Sequence, residues 1–410
     1  MRKEKTFIGE QYINFLKYLT GKKRDISPDY RREAERYRKV SGLKGMDYFY
    51  DTVASRKIET DRPVVGYFCN SVPEEIIIAA GATPLRLCNQ DMHCAEAGEE
   101  IIPGDICPVI KAICGGFQQE IKPDILVISA TCDGKVKLAE ILSPSFPDIY
   151  FIDIPRNSDY VKNIDVWEKS YLNFYEYLKD RFNVKPGRKD LINACRITNE
   201  RTKLFREIYH LRAEKTGVIN SFDYFTLSSA SFLLNPSDWT EHTKVLYNEL
   251  LNRGTKEKEY RKKVLLSGSP IIFPNFKLLD IMEDAGCYVA ADTMCSSYGH
   301  LFDPVEIDEE TEGGIIRTLT LKYIAPSICP CFLGIDKLIN AILENVERYG
   351  LDGVIYYNLR LCNVFEMDIP MLRSILKDRG IPFLALKTDF SREDTGQLKT
   401  RIEAFMEMLG

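Results

Sequence analysis

The chain has 410 residues, 45% hydrophobic and 28% charged, which is an ordinary globular composition and too long for a single hydrophobic core. Its formal net charge of −5 argues against a nucleic-acid-binding protein and gives no reason to expect an anionic membrane surface as partner. The sequence has no apolar run of about 18 residues and no secretory signal at its start, so we expect a cytoplasmic protein without a transmembrane helix.

The first half alternates between short apolar runs and helical segments. Residues 1–60 are predicted to be helical, because they are rich in charged helix formers and contain YINFLKYL with helical apolar spacing. Beyond residue 61, the predicted strands are RPVVGYF, ATPLRLC, KPDILVISATC and DIYFIDIP. A helix led by Pro73 and stopped by Gly81 separates the first two strands. This alternation predicts a parallel α/β sheet.

The second half repeats this layout. KKVLLSG is a predicted strand, followed by a helix that Pro274 opens and Gly286 stops, and then by the strand CYVAAD. LDGVIYYNLRLC and IPFLALKTD match the later strands of the first half, and an amphipathic helix closes the chain. We therefore predict an α/β fold with two Rossmann-like, flavodoxin-like parallel-sheet domains related by internal duplication. The predicted regions are an N-terminal helical region (1–60), a first α/β domain (61–200), a helical connector (201–260) and a second α/β domain (261–410).

Twelve cysteines are the main chemical signal. Thiols stay reduced inside cells, so many cysteines favour metal binding or catalysis over disulfides. Cys195 and Cys287 fall within helix or strand patterns and are interpreted as small buried hydrophobic residues. Cys88, Cys94 and Cys114 allow no decision from the sequence.

Seven further cysteines are predicted to lie at strand ends or helix N-termini, where backbone N–H groups and the helix dipole stabilise thiolates. These residues are Cys69, Cys107, Cys132, Cys295, Cys329, Cys331 and Cys362. Ligands of open α/β sheets bind beyond the carboxyl ends of the strands. We therefore expect these thiols to converge where the two halves meet.

The chemistry of such a site has several interpretations. Structural zinc is disfavoured, because the sequence has one close cysteine pair and four scattered histidines. A catalytic thiol at Cys107 or Cys132 lacks a histidine at a comparable strand end. An iron–sulfur cluster takes thiolates from distant chain positions and fits better, although no ferredoxin-type run is present. The sequence also lacks a GxxxxGK[ST] phosphate loop, a GxGxxG motif after a strand and a GxSxG elbow.

Five motifs carry a family resemblance: GYFCNSVPEEIIIAAGATPLRL, GDICPVIKAICG, SATCDGKVKLAE, LDGVIYYNLRLCN and RGIPFLALKTDFSREDTGQLKTRIEAFMEML. With them the sequence resembles the 2-hydroxyacyl-CoA dehydratase D-component family, which also includes benzoyl-CoA reductase subunits. The likeness covers residues 60–410 except for the middle. It implies one [4Fe–4S] cluster on Cys107, Cys132 and Cys362, with one iron left open for water, sulfide or substrate.

The additional cysteines resemble those of the double-cubane-cluster reductases within this family. That branch holds an [8Fe–9S] cluster, two cubanes joined by a sulfide, on six cysteines. Cys69, Cys295, Cys329 and Cys331 complete a set of seven candidates, so either Cys329 or Cys331 is surplus. The duplicated scaffold would instead group each cubane within one half, the first on Cys69, Cys107 and Cys132 and the second on Cys295, Cys331 and Cys362.

The resemblance implies a reductase that receives low-potential electrons from an ATP-hydrolysing [4Fe–4S] activator protein and reduces a small molecule. Asp133, beside Cys132, is predicted to donate a proton or to tune the cluster, or else to cap a helix. We expect a homodimer. One alternative is a single-cluster (R)-2-hydroxyacyl-CoA dehydratase subunit, which would form a heterodimer. The other is a non-enzymatic electron-transfer or cluster-storage protein.

Overall fold

The computed structural model describes residue 14 and residues 27–410, except for residues 59, 89, 117–121, 145, 147, 158, 254–259 and 325–326. The predicted helical run YINFLKYL therefore lies, apart from residue 14, outside the described residues. Within the described part, the N-terminal region forms helices α1 (Ser27–Ser41) and α2 (Asp47–Ser55), joined through a short 3-10 turn at Lys44–Met46. The helical N-terminal region is thus confirmed where the structure describes it.

The first half forms a parallel sheet with strands in the order β2-β1-β3-β4. Its strands are β1 (Val64–Tyr67), β2 (Thr83–Arg86), β3 (Ile125–Ser129) and β4 (Ile149–Ile152). Its helices are α3 (Glu74–Ala79), α4 (Met92–Glu99), α5 (Pro108–Gly116) and α6 (Asp133–Leu142). In β3, Ile125 and Val127 pack in one core while Leu126 and Ile128 pack in another, so both faces of the sheet are covered.

Helices fill the middle of the chain, both in the predicted helical connector (201–260) and in the end of the predicted first α/β domain before it. They are α7 (Tyr160–Phe182), α8 (Arg188–Glu214), α9 (Ser221–Ala230) and α10 (Pro236–Asn252). Helices α1, α2, α9 and α10 contribute buried residues to the large core around the second sheet.

The second half forms another parallel sheet, with the equivalent strand order β6-β5-β7-β8. Its strands are β5 (Lys262–Gly268), β6 (Cys287–Asp292), β7 (Gly353–Leu359) and β8 (Phe383–Thr388). Its helices are α11 (Lys277–Asp284), α12 (Tyr298–Leu301), α13 (Glu312–Ile324), α14 (Asp336–Tyr349), α15 (Asn363–Asp378) and α16 (Thr395–Met408). The shared strand order confirms the predicted α/β fold with two parallel sheets.

Two details differ from the sequence interpretation. Helix α11 begins at Lys277, because Pro274 lies in a preceding turn in which the N–H of Phe276 binds the Pro274 carbonyl at 3.0 Å. Helix α13 lies in the predicted second domain, yet its buried residues pack in a core with strands of the first sheet. The exact domain boundaries stay predictions. None of the described helices is long and apolar enough to cross a membrane.

Candidate functional site

A cavity of about 490 Å³ lies between the carboxyl ends of the two sheets. Cysteines from both halves line it, together with apolar side chains such as Phe68, Ile110 and Phe332. The lining cysteines are Cys69, Cys88, Cys107, Cys132, Cys295, Cys329, Cys331 and Cys362. The structure therefore brings together all seven of the cysteines singled out in the sequence, and adds one that the sequence left undecided.

Three of these thiols sit where a helix begins. Cys107 directly precedes α5, while Cys132 and Cys362 occupy the N-cap positions of α6 and α15. Cys107 and Cys132 each accept two hydrogen bonds from backbone N–H groups of the helical turn that follows, and Cys362 accepts one. Cys132 and Cys362 hold equivalent places in the two sheets, each following the third strand in chain order. The local pattern of buried strand, short loop and helix thus aims one thiol from each half into the cavity.

The thiols also interact with one another across the two halves. The Cys362 thiol donates to Cys107, which lowers the pKa of Cys107 and raises that of Cys362. The Cys331 thiol donates to Cys132, and with the nearby Lys135 charge this lowers the pKa of Cys132 to about 5. Cys331 also lowers the pKa of Cys329. Several of these sulfurs are thus stabilised as thiolates, the form in which cysteine binds metals.

Two remaining cysteines lie beside cations. Burial raises the pKa of Cys69, although Lys135 donates to its sulfur and opposes that shift. Burial likewise raises the pKa of Cys295 to about 12, against the charge of Arg86, whose guanidinium lies 3.9 Å from the Cys295 sulfur. Arg86 and Asn70 each donate to the Cys295 carbonyl at 2.9 Å, so the first half holds the Cys295 loop in place.

The segment that contains Cys329 and Cys331 corrects one expectation. These residues were predicted to stand at a helix start, but α14 begins at Asp336 with Ile335 as its N-cap. Cys331 lies in a turn ahead of that helix. The two thiols therefore reach the cavity from a loop ahead of the helix. This loop, and not the start of a helix, supplies both sulfurs.

Of the other five cysteines, four are buried away from the cavity and one lines it. Cys195 and Cys287 are buried in α8 and β6, as predicted, and do not line the cavity. Cys94 and Cys114 are buried in α4 and α5 and are likewise absent from its lining. Cys88 does line the cavity, and its thiol donates to the Phe68 carbonyl at 2.9 Å.

Asp133 lies at the rim of the cavity. Its side chain is 93% exposed and accepts a hydrogen bond from Arg156 at 2.7 Å. The helix-cap interpretation was wrong, because Cys132 is the N-cap of α6 and Asp133 is the first helical residue. A catalytic role for Asp133 stays a prediction.

Sequence reasoning missed several ionisable residues that line the cavity, including Arg86, Lys135, His300, Asp303 and Lys322. They come from separate elements, so no local motif groups them. Lys135 did carry a signal. It lies in the first turn of a predicted helix, where the helix dipole disfavours a positive charge and acids are usual.

The thiols surround the cavity and do not meet at one point. Within the described ranges, no three His, Cys, Asp or Glu side chains are close enough to share a single metal ion. A sulfur lining that is distributed in this way can bind a group wide enough to reach several walls of the cavity.

Comparisons with known proteins match this chain to one family. A family described as "2-hydroxyglutaryl-CoA dehydratase, D-component" matches residues 69–409. The chain is 27% identical over 361 residues to "Putative dehydratase subunit YjiM" of Escherichia coli (strain K12), covering 85% of this chain and 91% of that protein.

Two further relatives have names that state a reaction. A benzoyl-CoA reductase subunit of Thauera aromatica is 26% identical, with 84% of this chain and 89% of that protein covered. "(R)-2-hydroxyglutaryl-CoA dehydratase, subunit beta" of Acidaminococcus fermentans is 23% identical, with 85% of this chain and 93% of that protein covered. Nearly the whole of each relative is therefore matched.

Proposed function

The chain belongs to the 2-hydroxyglutaryl-CoA dehydratase D-component family, and on that premise we propose that it is an iron–sulfur reductase acting on a small molecule. Its cofactor would be an [8Fe–9S] double-cubane cluster held between the two α/β halves. The observation that carries the proposal is that thiols from both sheets line one cavity. Soft thiolate ligands that come from distant parts of the chain are typical of iron–sulfur sites.

The hydrogen bonds and electrostatic interactions among the thiols support a division into two ligand sets. One set is Cys107, Cys132 and Cys362. Cys107 and Cys362 form a hydrogen bond with each other, and the charge of Cys132 acts on both. This set draws on both halves, which favours the grouping implied by single-cluster relatives over a separate set within each half.

The second set is Cys69, Cys295 and Cys329, because Cys329 is the cysteine whose charge acts on both of the others. Cys331 pairs with a member of each set, Cys132 and Cys329. We therefore assign Cys331 as the surplus thiol between the two sets, and expect its removal to leave the iron content intact.

When bound, such a cluster supplies low-potential electrons one at a time. The chain itself provides a lining of apolar side chains that limits water, and groups that can hold protons. Asp303 lines the cavity, and burial raises the pKa of its carboxyl above the ordinary value. His300 is the opposite case: burial and nearby cations lower its pKa, which keeps its imidazole neutral. The cavity therefore favours the protonated form of Asp303, which is the form that can donate a proton to a substrate.

Electrons would reach the cavity from a separate protein, because the sequence has no phosphate loop with which to hydrolyse ATP. We propose an ATP-hydrolysing [4Fe–4S] activator as that partner. The chain would act as a homodimer, since two ligand sets in one chain remove the need for a second cluster-bearing subunit.

A second candidate is a single-[4Fe–4S] (R)-2-hydroxyacyl-CoA dehydratase subunit. The names of the dehydratase relatives and the interactions among Cys107, Cys132 and Cys362 favour it. It would need a different subunit as partner, and Cys69, Cys295 and Cys329 would then carry no iron.

Metal content after anaerobic reconstitution distinguishes these candidates. The double cubane predicts about eight irons and nine sulfides per chain, whereas one cubane predicts about four of each. Cys132→Ser should lose iron, while the matched controls Cys94→Ser and Cys195→Ser, both buried away from the cavity, should keep it. Iron content that is unaffected by Cys132→Ser would overturn the proposal.

Turnover assays complete the test. The reductase should reduce a small molecule such as acetylene, azide or hydrazine when electrons are supplied, and should not dehydrate 2-hydroxyacyl-CoA thioesters. Dehydration would favour the second candidate. Electron uptake without any turnover would favour an electron-transfer or storage protein.

A further inference from the structure

Lys135 occupies an unusual place in the thiol cavity. It is the third residue of α6, in the first turn, where the helix dipole disfavours a positive charge. Its ammonium group donates to the Cys69 sulfur and, at 3.3 Å, to the Thr131 hydroxyl. Something negative must offset the helix dipole if a cation is to be stable at this position.

Thiols surround this cation. Its charge interacts with Cys69, Cys132 and Cys331, and it also acts on Cys295 and Cys329. Lys135 thus lies between the two proposed ligand sets and touches one of them directly. No other lysine in the described part of the chain has a thiol as a hydrogen-bond partner.

Carboxylates do not account for the placement of Lys135. Among the described residues, its hydrogen-bond partners are a thiol and a hydroxyl, and no acidic side chain forms an ion pair with it. Lys322, which lines the same cavity, pairs with Glu75 at 2.7 Å. Lys137, two residues further along α6, pairs with Glu140 at 2.9 Å and is 73% exposed.

A second cavity cation shows the same pattern. Arg86 is only 3% exposed, and its guanidinium lies near the Cys295 sulfur and over the Phe232 ring at 4.4 Å. Its Nε atom has no hydrogen-bond partner among the residues that the structure describes. An unpaired cation that is buried or partly buried is costly, so the buried Arg86 and the partly buried Lys135 beside thiols indicate that the cavity is built to hold net negative charge.

We propose that Lys135 is the charge-compensating residue of this cavity and positions Cys69 within it. Adding an electron to the anionic group held by the thiols increases its negative charge, and a fixed ammonium lowers the free energy of that reduced state. Lys135 would therefore strengthen iron retention and raise the reduction potential. This inference rests on the proposed iron–sulfur function and adds to it a residue that is not a metal ligand.

The test replaces Lys135 in the full chain and reconstitutes the protein anaerobically with iron and sulfide. Lys135→Met should weaken iron retention against a chelator by about 10- to 100-fold, the usual range for residues that support metal ligands. It should also make reduction by an external one-electron reductant about tenfold less favourable, a shift of about 59 mV to more negative potential. Potentials are measured by EPR-monitored titration.

Two variants separate charge from packing. Lys135→Arg keeps the positive charge and should restore the wild-type potential. Lys137→Met removes a lysine of the same helix that also lines the cavity but is 73% exposed and pairs with Glu140, so it should change neither readout. If Lys135→Met does not fold, as judged by circular dichroism, Lys135→Gln provides the neutral variant.

The outcomes are distinct. A folded, neutral Lys135 variant with unchanged potential and unchanged iron retention overturns the inference and leaves the proposed function standing. An equal effect in Lys137→Met also overturns it, because the effect would then not depend on contact between the ammonium and a thiol. A wild-type chain that binds no iron overturns the proposed function itself.

Discussion

Two arginine–aspartate pairs in this structure should differ greatly in their contribution to stability. Arg212 and Asp292 are both fully buried, with 3.1 Å between nitrogen and oxygen, whereas Arg156 and Asp133 are 45% and 93% exposed at 2.7 Å. We predict that Arg212→Met lowers the free energy of unfolding by about 3–5 kcal/mol, because it leaves a buried carboxylate without its cation. The same change at Arg156 should cost about 0–1 kcal/mol, since water screens that pair.

The surroundings of Arg212 set the size of this effect. Its guanidinium also lies 3.4 Å from the centre of the Tyr224 ring, so its loss removes a buried cation–π contact worth about 2 kcal/mol. Asp292 keeps hydrogen bonds from Ser297 and from the Met294 N–H at 3.1 Å, which partly offset the unpaired charge. The lost cation–π contact increases the cost of Arg212→Met, and the remaining hydrogen bonds to Asp292 reduce it. The expected loss in the free energy of unfolding therefore stays at about 3–5 kcal/mol.

Urea denaturation followed by circular dichroism measures the difference directly. The Arg212→Met midpoint should fall well below that of wild type, while the Arg156→Met midpoint should barely move. Equal shifts for the two variants, or a larger shift for the shorter and exposed pair, would refute the reasoning that burial, not distance, determines the value of these pairs.

Three further changes have clear expected outcomes. Gly115→Ala should destabilise the α4–α5 packing by about 1–3 kcal/mol in urea denaturation, because a Cβ there would lie 2.0 Å from the Cys94 carbonyl oxygen. Burial raises the pKa of Asp223 from 3.8 to about 7, so the unfolded state releases this proton at lower pH than the folded state does. Stability should therefore fall as pH rises from about 4 to 7. Asp223→Asn should flatten that fall in denaturation experiments at different pH values. Lys277→Met should lower the free energy of unfolding by about 1.5–3 kcal/mol, because it removes the 2.7 Å pair with Asp394. It should also speed hydrogen exchange in residues 389–394, and unchanged exchange there would contradict this prediction.

Much of the fold could be predicted from the sequence because its strands are continuous apolar runs. KKVLLSG and CYVAAD coincide with β5 (Lys262–Gly268) and β6 (Cys287–Asp292), since buried parallel strands carry little polar interruption. The repeated layout of the two halves predicted two related parallel sheets, and the structure shows that they share one strand order. The start of α11 could not be predicted, because a proline marks either the first turn of a helix or the turn before it.

The site was only partly predictable for a related reason. Strand ends and helix starts place Cys132 and Cys362 through local geometry, and local geometry is visible in sequence. Cys88 was left undecided because its place in the cavity depends on the packing of two halves far apart in the chain. The same holds for Arg86, whose contact with Cys295 joins residues 209 positions apart.

Anomalous scattering at the iron edge, from crystals grown without oxygen, tests the central proposal most directly. The account predicts iron inside the cavity, in two groups, bonded to sulfurs of Cys107, Cys132 and Cys362 and of Cys69, Cys295 and Cys329. Iron bonded only to the first three would support the single-cluster dehydratase. Iron bound elsewhere, or no iron in a chain purified and reconstituted anaerobically, would contradict the account.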